Sequence, residues 1–301
     1  MPTIDLPQGP LHYRVAGPAV SGEPPVVFLH GILVNGELWT AVADALARAG
    51  VRSYAPDLPL GAHQVPLHPD ADLHPRSVAQ LVIDFLQALD LREVILVGND
   101  TGGALCQFLI DLDDDRIGRL VLTNCDAFDQ FPPAPFGLLV KAGRRPGRLK
   151  FLMTTVRPTW VRHSALGFGP LTAKPLDADL TRRWITPALT DGQIRRDTAR
   201  FMRAIDPSDL LEVSTRLHRF TKPVLMVWGA ADRYFKPAFA HRLADIFPNA
   251  RIVEVEGGRT FLPLDEPDRV AHEILAAMTG DAERDRAVLQ GPPTDSETSP
   301  A

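Results

Sequence analysis

The sequence predicts an α/β fold: a mainly parallel central sheet flanked by helices, doubly wound and interrupted by one helical insertion. Three observations carry this. Short β-branched runs bounded by Gly and Pro recur, and the middle ones are apolar throughout rather than alternating, as in strands covered on both faces. Longer helical patterns separate them, as parallel crossovers require. Between residues 128 and 222 the strand signal vanishes, and it resumes afterwards.

Taken in order, strands are expected at 11–16, 26–30, 51–55, 94–98 and 120–123, with helices at 38–49, 77–89 and 102–112. Over 128–222, Leu, Trp, Arg and Pro recur at helical spacing. Strands return at 224–228 and 251–255, and an amphipathic helix follows at 267–278. The expected division is a core of 1–127 and 223–280, a helical cap of 128–222, and a tail, 281–301. The tail has too few apolar residues to offset its ordering entropy, so it is expected to be disordered.

Composition narrows the function classes. The chain has 301 residues, 45% of them hydrophobic, enough for a large core. A net charge of −5 offers no global field for a polyphosphate, so nucleic acid is not an expected partner. No apolar run approaches the ~20 residues of a bilayer span and no leader pattern opens the chain, which reads as cytoplasmic with no membrane partner. Cys106 and Cys125 are too few for a disulfide framework and lack zinc spacing, and no metal or cofactor is expected. Charge is unevenly spread: 128–222 holds 17 Lys and Arg against 8 Asp and Glu. Solvated helix faces are the ordinary reading. The sharper one is a basic lid that draws in an anionic small-molecule substrate.

One motif carries chemistry. Gly98-Asn99-Asp100-Thr101-Gly102-Gly103 follows the strand at 94–98 directly and opens a helix. So tight a strand-to-helix turn admits only small residues two positions either side of its centre, where Gly98 and Gly102 stand. Asp100 is thereby pushed out at the carboxyl end of the sheet, above a helix N-terminus that favours negative charge. The alternative for Asp100 alone is a plain helix N-cap.

On these residues the sequence resembles the α/β-hydrolase family over about 11–278. His30-Gly31 matches that family's oxyanion loop, and the resemblance implies that the N–H groups of Ile32 and Thr101 hold a developing oxyanion. Gly229-Ala230-Ala231-Asp232 matches the site of the acid that orients the family's catalytic histidine, with Asp126 a second candidate. Asp at the elbow is most similar to the haloalkane dehalogenase and epoxide hydrolase branches, whose carboxylate attacks an sp³ carbon to give an ester that histidine-activated water hydrolyses.

The pattern breaks at 256–267, EGGRTFLPLDEP, where Thr260 occupies the histidine's place. A threonine hydroxyl is no base near neutral pH. Thr101 stands where dehalogenases commonly have tryptophan, and Tyr13, Tyr54 and Tyr234 all lie outside the cap that carries the epoxide hydrolases' tyrosines. Trp160 and Trp184 are in the cap, as packing or as indole donors. His30 is a candidate for proton transfer or for loop support. His63, His68 and His74 are candidates from the loop after 51–55, and His163, His218 and His272 are read as surface residues or helix members. Two functions follow: an atypical hydrolase using Asp100 as nucleophile or acid/base, with Thr260 giving a hydroxyl hydrogen bond to the pocket; or a degenerate homologue that binds a small molecule.

Overall fold

The computed structural model describes residues 1–290. Eight strands form one sheet: β1 (Thr3–Leu6), β2 (Gly9–Ala16), β3 (Val26–Leu29), β4 (Ser53–Pro56), β5 (Val94–Asp100), β6 (Ile117–Cys125), β7 (Val224–Gly229) and β8 (Ala250–Val255). Their order is β1-β2-β4-β3-β5-β6-β7-β8; β2 is antiparallel to β1 and β4, and every other pairing is parallel. β3 and β7 are buried along their whole length and β5 up to Asn99, which is why their sequences show no alternation.

Helices α1 (Thr40–Arg48), α2 (Pro75–Ala88) and α3 (Thr101–Leu112) supply the crossovers of the first half. α3, under the elbow, buries every residue from Thr101 to Ile110. Between β6 and β7 the chain forms only helices: α4 (Phe136–Gly143), α5 (Pro146–Thr155), α6 (Thr159–Arg162), α7 (Ala178–Thr190), α8 (Gly192–Ala204), α9 (Pro207–Ser214) and short 3-10 turns. α10 (Pro237–Ala244) follows β7, and α11 (Leu262–Asp265) and α12 (Pro267–Gln290) close the described chain.

The strand and helix bounds differ from the expected ones by a few residues, and β1, α10 and α11 are additional to the expected elements. β1 is a four-residue edge strand with Leu6 alone buried, so its hydrophobic signal is slight. The last helix runs on to Gln290 rather than ending near 278, through a stretch rich in Ala, Glu, Arg and Leu, all good helix formers. Of the tail expected to be disordered, 291–301 lies outside the described residues.

The insertion is fastened to the core by specific bonds. Trp184 Nε1 donates to Asn35 Oδ1 at 3.1 Å and Arg183 Nε to Glu37 Oε2 at 2.9 Å, linking α7 to the turn after β3. Asp265 on α11 accepts the N–H groups of Ala173, Lys174 and Arg259 and the hydroxyl of Thr172. The Arg196 and Arg200 guanidiniums of α8 donate to the carbonyls of Leu67, Pro69 and Ala71.

Candidate functional site

Every element of the site ends at the carboxyl edge of the parallel strands. β5 delivers Asp100, whose φ of 53° and ψ of −129° are rare for a residue with a side chain. Strain of this kind costs on the order of 1–3 kcal/mol and is held only by its surroundings. Here they are close: a Cβ on Gly98 would lie 2.6 Å from Gly103 Cα, and one on Gly102 only 2.2 Å from the Leu29 carbonyl oxygen. A Cβ on Gly31 would fall 1.9 Å from Asp100 Oδ2, so the loop after β3 needs glycine there to meet the carboxyl.

Asp100 does not cap α3: its side chain makes no capping bond. The N–H groups of Thr101 and Ile32 instead approach the carboxyl as donors and favour its charged form. Burial acts more strongly in the other direction, and with the nearby negative charge of Asp232 it pushes the Asp100 pKa up to about 7.

Asp232 and Thr260 form a closed pair behind Asp100. Thr260 Oγ1 donates to Asp232 Oδ2 at 2.9 Å, and the N–H groups of Tyr234 and Phe235 donate to Asp232 Oδ1. Thr260 is buried, and its main-chain oxygen accepts from Asn99 Nδ2 at 2.6 Å. It does not line the cavity in front of Asp100, so the expected hydroxyl contact to the pocket is replaced by the bond to Asp232. Asp126 lies on the other side of the elbow, where its Oδ2 accepts from Thr101 Oγ1 at 3.0 Å. Burial, then the charge of Asp100, raise its pKa well above the usual carboxylate range.

The cavity holds about 340 Å³. Ile32, Asp100, Thr101 and Tyr234 form its floor from the core, and α4, α5 and the turn at 165–171 supply apolar walls including Leu139, Met153 and Phe168. Its only polar side chains are Asp100, Thr101 and Tyr234; no Lys, Arg or His contributes.

Residues 26–273 match the Alpha/beta hydrolase family. The chain belongs to that family. Haloalkane dehalogenase 2 of Mycobacterium bovis is 26% identical to it, over 90% of this chain and 92% of the relative. A 2-hydroxy-6-oxononadienedioate/2-hydroxy-6-oxononatrienedioate hydrolase of Dechloromonas aromatica is 28% identical over 80% and 81%. Among solved structures, a putative ancestral haloalkane dehalogenase superposes with a TM-score of 0.75 at 22% identity, covering 95% of this chain and all of that one. An epoxide hydrolase superposes at 0.72 and 21%, covering 91% and 96%. At that identity the likeness is one of α/β-hydrolase fold.

Within this α/β-hydrolase frame the other sequence candidates separate. His30 Nε2 accepts the Leu58 N–H at 2.8 Å, so its proton is on Nδ1, which bonds the Gly31 oxygen at 2.9 Å. Burial lowers its pKa to about 3, and both ring nitrogens are spent on the main chain of Gly31 and Leu58. His63 is buried against Asp197, His74 caps α2, and none of the nine histidines lines the cavity. Trp184 is buried on Phe168 and Phe261 with its N–H spent on Asn35, which makes it packing rather than a ligand donor. Trp160 is exposed.

Tyr234 lies outside the insertion, yet the loop after β7 carries it into the cavity, edge-on to Phe136 at 4.7 Å. Its place two residues after Asp232 was the available signal. The expectation of an anionic substrate is not supported by the walls. Arg144, Arg162, Arg195, Arg196, Arg200 and Arg203 all donate to main-chain carbonyls, so much of the positive excess serves packing.

Proposed function

We propose that this protein is an atypical α/β-hydrolase in which Asp100 acts as a nucleophile on a small, uncharged, largely apolar molecule enclosed between the core and a cap formed by 128–222. The observation that carries the reading is the placement of Asp100: a strained, desolvated carboxyl group facing an apolar cavity, approached by the Thr101 and Ile32 N–H groups. Those donors favour the charged form of Asp100, the form that attacks.

An Asp100 oxygen attacks an sp³ carbon, and the new C–O bond forms as the bond to the leaving group breaks. A halide leaves as the anion. An epoxide oxygen takes a proton, for which the Tyr234 phenol is the donor in the lining, since the Thr101 hydroxyl is engaged by Asp126. Hydrolysis of the ester then needs water to attack its carbonyl carbon while the same N–H pair holds the oxyanion. Thr260 stands where the family's base is expected, and Asp232 has a hydroxyl as its partner in place of an imidazole. The second step therefore lacks the ~10²–10⁴-fold contribution of a positioned base.

That same closed pair supports a second reading, a binding protein that retains the elbow without turnover. Peptide-mapped mass spectrometry after exposure to neutral alkyl halides and epoxides separates the two. The nucleophile reading predicts a long-lived ester on Asp100, none in Asp100→Asn, slower formation from epoxides but not halides in Tyr234→Phe, and release of the ester in Thr260→His. Full turnover in Asp100→Asn would overturn it; saturable ligand binding with no adduct and no turnover across the panel would establish the binder.

A further inference from the structure

The outer face of α4–α6 combines two properties that the chemistry at Asp100 does not use. Residues 130–176 contain eight Lys and Arg and no Asp or Glu. Of these, Arg144 and Arg162 are tied to carbonyls, while Lys174 pairs with Glu266. Lys141, Arg145, Arg148, Lys150 and Arg157 are exposed and form no ion pair among the described residues. The same stretch also concentrates exposed apolar surface. Of the eight large hydrophobic side chains exposed among the described residues, four fall between 138 and 166: Leu138 at 75%, Phe151 at 68%, Trp160 at 79% and Leu166 at 82%. On α5 the buried Leu149 and Met153 face the protein, which leaves Lys150 and Phe151 on the opposite side.

We propose that this face docks on an anionic lipid surface. Charge complementarity selects that partner: an acid-free, basic stretch carries no repulsive group against anionic headgroups, and protruding Trp, Phe and Leu side chains suit the headgroup boundary. Leu138 and Leu166 also line the cavity, so docking brings its mouth to the bilayer. No helix among the described residues is long and apolar enough to cross a membrane, so the contact is peripheral. The absence of a membrane partner, expected from the sequence, rested on the lack of a span, and a surface contact needs none. Entry of an apolar substrate from the bilayer rests on the reading of Asp100 given above; the docking does not.

Flotation of the full chain with phosphatidylcholine vesicles, alone or mixed with phosphatidylglycerol, tests the proposal. Binding is expected only to the mixed vesicles, lost at ~0.5 M salt, where the screening length falls to a few ångström. Neutralising Lys141, Arg148 and Lys150 together (K141Q/R148Q/K150Q) should weaken it roughly 100-fold, at about fivefold per charge. Phe151→Ser with Trp160→Ser should weaken it at unchanged melting temperature, and Asp100→Asn should bind as the native chain does. Equal retention on both vesicle types, no retention, or undiminished binding by the K141Q/R148Q/K150Q and Phe151→Ser/Trp160→Ser variants would overturn the proposal. So would a dimer dissolved by the Phe151 and Trp160 substitutions in a chain that vesicles do not retain.

Discussion

At Gly102 and Asp100 two neighbouring substitutions should act in opposite senses. A Val side chain at 102 meets the Leu29 carbonyl, which is main chain of β3 and cannot step aside. Gly102→Val should cost more than about 3 kcal/mol or prevent folding. Asp100→Asn keeps the shape and removes a buried carboxyl whose pKa is raised to about 7. Such a group holds in the folded protein a proton that the unfolded chain has released above about pH 4. Stability therefore falls as pH rises from about 4 to about 7 and stays lower above, by an amount on the order of a few kcal/mol. Asp100→Asn should melt above the native chain, with the gap widest above about pH 7 and closing toward about pH 4; a gap independent of pH would contradict this. The elbow was legible because its signal is local: glycines two residues either side of Asp100, a strand before and a helix after. The partners of His30 and Trp184 were not, because Leu58 and Asn35 lie far from them in sequence.

At the scale of elements, α11 is the clasp between the insertion and the loop carrying Thr260. Asp265, buried, accepts from Thr172, Ala173, Lys174 and Arg259 at 2.7–3.1 Å. Asp265→Ala strands several donors at once and should cost about 3–5 kcal/mol in denaturant unfolding. Arg183→Ala removes only a half-exposed ion pair with Glu37 and should cost about 1 kcal/mol or less. Equal effects would show that the insertion does not depend on this clasp. Strand and helix identities were readable from period and composition, since β3, β5 and β7 are covered on both sides and their runs are continuously apolar. β1 was missed because a four-residue edge strand with one buried side chain offers little that a pattern can register.

At the scale of the whole molecule, the charge imbalance of the insertion was visible in the sequence and its meaning was not. Arginine–carbonyl bonds between α8 and the 67–71 loop, and within the insertion, leave no trace in composition, and only the folded chain separates those cations from the unpaired ones on α4–α6. The cavity is likewise a product of the assembly, since Tyr234 reaches it from beyond β7 while Leu139 and Met153 come from the insertion. The central claim is that Asp100, in this apolar enclosure, is a nucleophilic carboxylate that titrates near neutrality. Its most direct measurement is the rate of ester formation at Asp100 with a neutral alkyl halide as a function of pH, followed by intact mass. The account predicts a rate that rises with pH and levels off above an inflection near about 7, because only the carboxylate attacks. A rate already constant from about pH 5 upward, as for an ordinary exposed carboxylate, or adducts that persist in Asp100→Asn, would contradict it.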